Sequence, residues 1–154
     1  VSALSQAPWR VLIGHNLPDA EFAAYRDNAP DGVTVERSRP DFRQLLANCT
    51  LSISQGGYNT VMEVLAAGTR AVCIPYAGGL ESEQTLRCSL LANKGALEIV
   101  EPGTVTAENV ARAIQRAMAR DDHISAPVDM AGAKKTATML IESLNQHRNA
   151  EIGA

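Results

Sequence analysis

"SISQGGYNTVMEVLAAG", residues 52–68, joins a short alternating segment to a helical pattern through a glycine pair, Gly56 and Gly57. The alternation predicts a strand, and the apolar spacing that follows predicts an α-helix ending at Gly68. Glycines at this point let the chain turn tightly between the two elements. They also let a ligand approach the N-terminus of the helix, so the local pattern alone leaves both readings open.

Strand and helix patterns alternate along the rest of the chain in the same way. The predicted strands are residues 9–14, 33–37, 50–54, 70–75 and 96–101. The predicted helices are residues 17–30, 39–49, 58–67, 82–94, 106–120 and 129–147, followed by a frayed tail. Short connections between alternating elements indicate parallel strands joined by helical crossovers. The predicted fold class is therefore α/β, a doubly wound parallel sheet forming one domain over residues 1–154.

Two of these helices carry clear side-chain patterns. The helix over residues 82–94 places Leu86, Leu90 and Leu91 on one side. The helix over residues 106–120 begins at Thr106, a good N-cap residue, and carries an apolar face.

Composition excludes several classes of partner and site. A formal net charge of -3 and 4% aromatic residues offer nucleic acid neither a basic surface nor stacking platforms. No apolar run approaches the ~18 residues of a membrane-spanning helix. Three cysteines without paired spacing predict reduced, buried thiols, as in a cytoplasmic protein: Cys49, Cys73 and Cys88. Neither they nor the histidines have the spacing of metal ligands, so no metal site is predicted.

The loop of residues 54–60 lies where ligands of such sheets bind, beyond the carboxyl end of a strand. A helix N-terminus offers unpaired N–H groups and positive potential, and glycines allow a phosphate to come close. Asn59, Thr60 and Glu63 share one face of the helix. A carboxylate suits two ribose hydroxyls rather than a phosphate, so a nucleotide would satisfy the whole group. The alternative is a tight turn followed by a glutamate stabilised by the helix dipole.

The loop of residues 75–84 is long for a strand-to-helix connection and ends in Glu83 and Gln84. Acidic and amide groups at this edge suit the hydroxyls of a sugar. Surface charge favoured by the helix dipole is the alternative for Glu81 and Glu83. Arg87, one turn later, could contact a phosphate, although the pattern favours a solvated helix face.

Taken together, these two loops resemble the C-terminal, donor-binding domain of the family 28 glycosyltransferases. The family includes the N-acetylglucosaminyltransferase of peptidoglycan synthesis. The resemblance covers residues 10–118, its specific core is residues 54–96, and it is closest to a branch of predicted bacterial glycosyltransferases. The matching pieces are Gly56–Gly57, Thr60, Glu63, residues 66–68, residues 74–75, Glu83–Gln84 and residues 95–96.

The resemblance implies one Rossmann-like half of the two-domain GT-B architecture, with a nucleotide sugar, expected to be a UDP-sugar, held between the halves. It implies that the diphosphate lies against Gly56, Gly57, Asn59 and Thr60, and that Glu63 holds the ribose. The backbone of Arg39 would face the base, and Glu83 and Gln84 would contact the sugar. No cofactor is implied beyond this donor substrate.

The implied reaction is an inverting, metal-independent transfer of the sugar to an acceptor hydroxyl of a saccharide, lipid or small molecule. The catalytic base and acceptor site are expected in an N-terminal domain outside this chain, so the chain alone is expected to be inactive. The enzyme is expected in the cytoplasm, with membrane contact only through that other domain. The absence of a D-x-D sequence agrees with metal independence.

Departures from the family pattern concern the beginning of the chain and one loop position. The chain starts without Met and begins at what resembles the second strand of the domain, which predicts that it is a piece of a longer protein. Gln55 stands where some members carry arginine. Two other functions remain open: a separate donor-binding subunit that needs a partner chain, and a nucleotide-sugar epimerase or hydrolase on the same scaffold.

Overall fold

The computed structural model describes residues 7–78, 82–120 and 131–152, over which strands and helices alternate as predicted. The strands are β1 (Trp9–Ile13), β2 (Val33–Arg37), β3 (Ser52–Ser54), β4 (Ala71–Cys73) and β5 (Glu98–Ile99). The helices are α1 (Asp19–Asp27), α2 (Phe42–Asn48), α3 (Tyr58–Ala67), α4 (Glu83–Asn93), α5 (Ala107–Met118) and α6 (Gly132–Ile152). Two predictions fall outside the described residues: the start of the last helix at residue 129, and the alternative of a surface charge at Glu81.

All strand pairs in the described residues are parallel, which confirms the predicted α/β class. β1 pairs with β2, and β4 lies between β3 and β5. Within the part of the chain that the structure describes, no ladder joins β1 to β3. The predicted sheet is therefore present as two parallel sets, with two and three strands.

The core lies around β4, which is buried along its whole length. Ala71 and Cys73 face one apolar cluster, to which α3 contributes Val61 and Val64. Val72 faces the opposite cluster, where α5 packs. Because successive side chains of a strand point to opposite faces, this one strand separates two helical layers. The arrangement holds the carboxyl ends of β3 and β4 firmly beside the N-terminus of α3.

Helix ends follow the predicted signals, and one helix carries leucines in two environments. The hydroxyl of Thr106 accepts a hydrogen bond from the Asn109 N–H at 3.1 Å, which caps α5. Gly68 ends α3 in the left-handed conformation, with φ +65°. On α4, Leu91 is buried, but Leu86 and Leu90 are more than half exposed. The three leucines on one side of this helix therefore do not share one environment, because Cys88 occupies the core-facing position one turn before Leu91.

Two surface features also differ from expectation. Cys49 is exposed, so the prediction of a buried thiol holds for Cys73 and Cys88 alone. α6 continues to Ile152, past the predicted end at residue 147, and its apolar side chains are exposed where the structure describes them. None of the described helices is long and apolar enough to cross a membrane.

Candidate functional site

Gly56 occupies a position that only glycine fits well. Its φ is +90°, a conformation that residues with a side chain rarely adopt. A Cβ placed there would lie 2.5 Å from the Sγ of Cys88. Gly56 is buried, so its absent side chain is required by the turn and by the packing of α4 against it.

Gly57 stands in a different environment, although it is adjacent. It is the N-cap of α3, with φ −57° and ψ 145°, angles that any residue can adopt. A Cβ at Gly57 would meet no atom within 4 Å. The N–H groups in the first turn of any α-helix have no partner within the helix. In α3 no side chain caps them. The missing side chain of Gly57 therefore leaves room in front of open hydrogen-bond donors.

A cavity of about 400 Å³ adjoins this turn at the carboxyl ends of β3 and β4. Its lining residues are Ile53, Ser54, Gln55, Ile74, Pro75 and Tyr76. A larger groove of about 580 Å³ lies between α1 and the β1–β2 pair, and its lining is mostly apolar. The smaller cavity is the better candidate, since ligands of open parallel sheets bind beyond the carboxyl ends of the strands.

Glu63 lies on α3, one turn beyond Asn59 and Thr60, and its side chain contacts α2. Its Oε1 accepts a hydrogen bond from the Nε of Arg43 at 3.1 Å. The Glu63 side chain is 26% exposed, whereas that of Arg43 is 83% exposed. The carboxylate is thus mostly covered by protein, while its partner remains largely in water. Sequence reasoning missed Arg43, because a single basic residue on a short helix has no distinctive spacing.

Glu83, Gln84 and Arg87 lie on α4. Arg87 donates from Nη1 to the carbonyl oxygen of Gly56 at 3.0 Å, and its Nη2 forms an ion pair with Glu83. Its side chain is only 15% exposed, so the favoured prediction of a solvated face was wrong. Gln84 accepts a hydrogen bond from the Tyr76 N–H at 3.2 Å, which ties α4 to the loop after β4.

The buried thiols lie directly behind the turn. A hydrogen bond from Cys73 and the nearby Arg87 charge lower the pKa of the Cys88 thiol. The hydrogen bond to Cys88 and burial raise the pKa of Cys73. Because both thiols are buried, their structural effect is to pack β4 and α4 against Gly56.

Arg39 is an exposed residue just after β2, and its guanidinium contacts carboxylates of that strand and of the following loop. Its guanidinium donates to both carboxylate oxygens of Asp41, at 2.8 and 2.6 Å, and to Glu36 at 3.3 Å. Hydrogen bonds from Arg39 lower the pKa of Asp41, and those from Arg10 and Arg39 lower the pKa of Glu36. The structure therefore connects the predicted residues of α4 to the loops that follow β3 and β4, joins Glu63 to α2, and places Arg39 after β2.

Residues 11–144 match the profile of the glycosyltransferase family 28 C-terminal domain. The chain belongs to this family. The resemblance read from the two loops of the sequence is thereby confirmed.

Relatives of this family 28 domain are named UDP-N-acetylglucosamine–N-acetylmuramyl-(pentapeptide) pyrophosphoryl-undecaprenol N-acetylglucosamine transferase. The Dichelobacter nodosus protein is 37% identical over 75 residues, which are 49% of this chain and 21% of that protein. The Chelativorans protein is 33% identical over 108 residues, which are 68% of this chain and 28% of that protein. The chain thus spans less than a third of either relative.

A solved structure supports the same fold. Acinetobacter baumannii MurG is 27% identical, with a TM-score of 0.57, over 79% of this chain and 36% of that one. The family 28 domain described here is therefore a Rossmann-like half, like those of GT-B glycosyltransferases.

Proposed function

We propose that this chain is the donor-binding domain of an inverting, metal-independent glycosyltransferase that uses a UDP-sugar. The observation that carries the proposal is the open N-terminus of α3, where Gly57 leaves space in front of unpaired N–H groups. Family membership supports the reaction class, and the names of the relatives, which include UDP-N-acetylglucosamine, support the nucleotide.

The diphosphate of the donor would lie against the first turn of α3. The N–H groups there and the positive end of the helix dipole favour a bound anion. Asn59 is exposed and Thr60 half-buried, so both side chains can add polar contacts. Gln55, also exposed, is uncharged, and charge neutralisation is therefore left to the N-terminus of α3.

The nucleoside would bind on the α2 side of this turn. Glu63 would accept hydrogen bonds from the two ribose hydroxyls after Arg43 releases one carboxylate oxygen. Arg43 is mostly in water, so this exchange costs little. The backbone at Arg39 would face the base, an assignment that rests on the family resemblance.

The sugar would bind on the α4 side, near Glu83 and Gln84. The acceptor oxygen would attack the anomeric carbon in line, forming the new glycosidic bond while the bond to the diphosphate oxygen breaks. Donors fixed at α3 would stabilise the negative charge that develops on the leaving diphosphate. Removal of the acceptor proton is assigned to a base outside this chain.

The domain is proposed to be the C-terminal half of a longer enzyme that acts in the cytoplasm. The pairing of β2 with β1, and of β3 with β4 and β5, fits a Rossmann sheet whose order is 3-2-1-4-5-6 if β1 is its second strand. A further parallel strand would then lie between β1 and β3. The acceptor, whether saccharide, lipid or small molecule, would bind to the other half.

A ligand-observed NMR titration of this chain with UDP, dTDP, GDP and their sugars tests the proposal. We expect weak binding with a preference for UDP and its sugars, because half of the cleft lies outside the chain. Gly57→Ala should weaken that binding while leaving thermal unfolding nearly unchanged, since its methyl group would enter only the open space. Binding of no nucleotide diphosphate by the wild-type chain would refute the proposal.

Metal independence needs its own measurement, made on the protein that contains both halves. Turnover of the UDP-sugar should persist in the presence of EDTA. Release of free or epimerised sugar without any acceptor would instead identify a hydrolase or epimerase.

A further inference from the structure

Arg87 joins two parts of the candidate site that belong to different elements. One arm of its guanidinium donates to the carbonyl of Gly56, 3.0 Å away in the turn before α3. The other arm pairs with Glu83, one turn earlier on α4. A planar guanidinium fixes the relative placement of two acceptors, because its donors point along set directions.

Further contacts limit the movement of this guanidinium. Its central carbon lies 5.4 Å from the centre of the Tyr58 ring, within the range of a cation–π contact. The next residue, Cys88, packs directly against Gly56. The Arg87 side chain is 15% exposed, whereas Glu83 is 76% exposed and can still receive a ligand. The ordered member of the pair is therefore the arginine, and the carboxylate is the member that faces solvent.

We propose that Arg87 is a positioning residue. It holds the Glu83 carboxylate, which would bind the sugar, at a fixed distance from the diphosphate site at Gly57. This inference rests on the proposed function. Lysine at this position would keep the charge, but a single ammonium group lacks the planar fork that reaches both acceptors. Donor recognition through the sugar should therefore depend on arginine itself, whereas recognition of the nucleotide should depend on it less.

The experiment compares dissociation constants for UDP and UDP-N-acetylglucosamine, measured by ligand-observed NMR on the 154-residue chain. Arg87→Lys and Arg87→Met should each weaken UDP-N-acetylglucosamine binding by roughly tenfold, the scale of one charge-assisted contact. UDP binding should weaken by less than about threefold, since the turn retains its backbone donors. The matched control is Arg112→Met, which removes another arginine paired with a glutamate four residues earlier, at 3.2 Å on α5. It should change neither constant.

A double-mutant cycle separates positioning from a general structural role. If Arg87 acts through Glu83, adding Glu83→Gln to Arg87→Met should weaken UDP-N-acetylglucosamine binding no further than the worse single change. Thermal unfolding of each variant identifies any loss of fold, and Arg87→Lys provides the milder substitution. Equal losses for both ligands, unchanged binding or fully additive losses would each overturn the role of Arg87. Failure of the wild-type chain to bind either ligand would instead refute the proposed function and this inference with it.

Discussion

At position 56, both the backbone conformation and the packing require glycine. Gly56→Ala should lower the free energy of unfolding by about 2 kcal/mol or more, from the left-handed strain and the contact with Cys88. Chemical denaturation measures this loss. Gly57→Ala, one residue later, is the control and should change stability by less than about 1 kcal/mol.

The steric part of that cost can be isolated with a second substitution. Cys88→Ala removes the sulfur that an alanine at position 56 would meet. The double variant should therefore lose less stability than the sum of the two single variants. Simple additivity would show that the backbone angle alone accounts for the cost.

Substitutions of Glu63 and of its partner Arg43 should have different effects on UDP affinity. Glu63→Ala should weaken UDP binding roughly tenfold, because two ribose hydroxyls lose a charged acceptor. Arg43→Ala should leave binding equal or up to about threefold tighter, since the exposed arginine no longer competes for the carboxylate. Titration by NMR distinguishes these outcomes. Unchanged affinity in Glu63→Ala would rule out the ribose assignment.

Single residues also show what sequence can predict at this scale. The glycine pair predicted a turn, and the structure adds that the two glycines serve different purposes. Arg87 was read as solvated, because a charged residue in a helical pattern does not reveal which carbonyl it meets. That partner, Gly56, lies thirty-one residues earlier in the chain, and only the fold brings them together.

At the scale of elements, β5 and α5 are joined by one buried carboxylate. Glu98 accepts from Arg116 at 2.7 Å and pairs with Arg120 at 2.5 Å, and its side chain is 11% exposed. Glu98→Gln should lower the free energy of unfolding by about 1–3 kcal/mol, the scale of a broken hydrogen bond to a charged group. UDP affinity should not change, because Glu98 begins its strand at the edge opposite the site.

Glu108→Gln is the matched control for that prediction. Glu108 pairs with Arg112 on the same helix, α5, but is 77% exposed, so its loss should cost less than about 0.5 kcal/mol. Urea unfolding curves compare the two variants. Equal losses in the free energy of unfolding for the two variants would mean that burial does not strengthen the ion pairs of Glu98.

The order of the strands and helices was predictable from the sequence, whereas the buried face of each helix was less predictable. Strand-to-helix alternation survives small errors in each boundary, and caps such as Thr106 mark a helix end by local chemistry. The leucine pattern of α4 did not reveal which side of the helix is buried, because leucines occur on both its buried and its exposed surfaces. Cys88 and Leu91 occupy the buried side, and the leucines at 86 and 90 lie at the surface.

For the whole molecule, the division between β1–β2 and β3–β5 was not predictable from local pattern. Strand periodicity identifies each strand but carries no information about which neighbours it finds across a sheet. The apolar groove beside β1 and β2 shows that these two strands are less buried than β4. An additional strand would both join the two sets and extend the core.

The proposed strand between β1 and β3 makes a prediction for individual amides. The Trp9 N–H bonds to Gly32, and Ile13 accepts from Ser38, so alternate residues of β1 face β2. Leu12 then points its N–H to the opposite edge, as Ile53 does on β3, where Ser52 and Ser54 bond toward β4. These two amides should exchange rapidly with deuterium in this chain.

In a longer polypeptide that includes the preceding strand, the same two amides should become protected, because each gains a carbonyl partner. Hydrogen exchange followed by NMR on both proteins measures the difference. The amide of Val72 is the internal control, since β4 is paired on both sides and buried in the chain as it stands. Protection of Val72 alone, with rapid exchange at Leu12 and Ile53 in both proteins, would mean that no strand inserts and that the two sets are joined in another way.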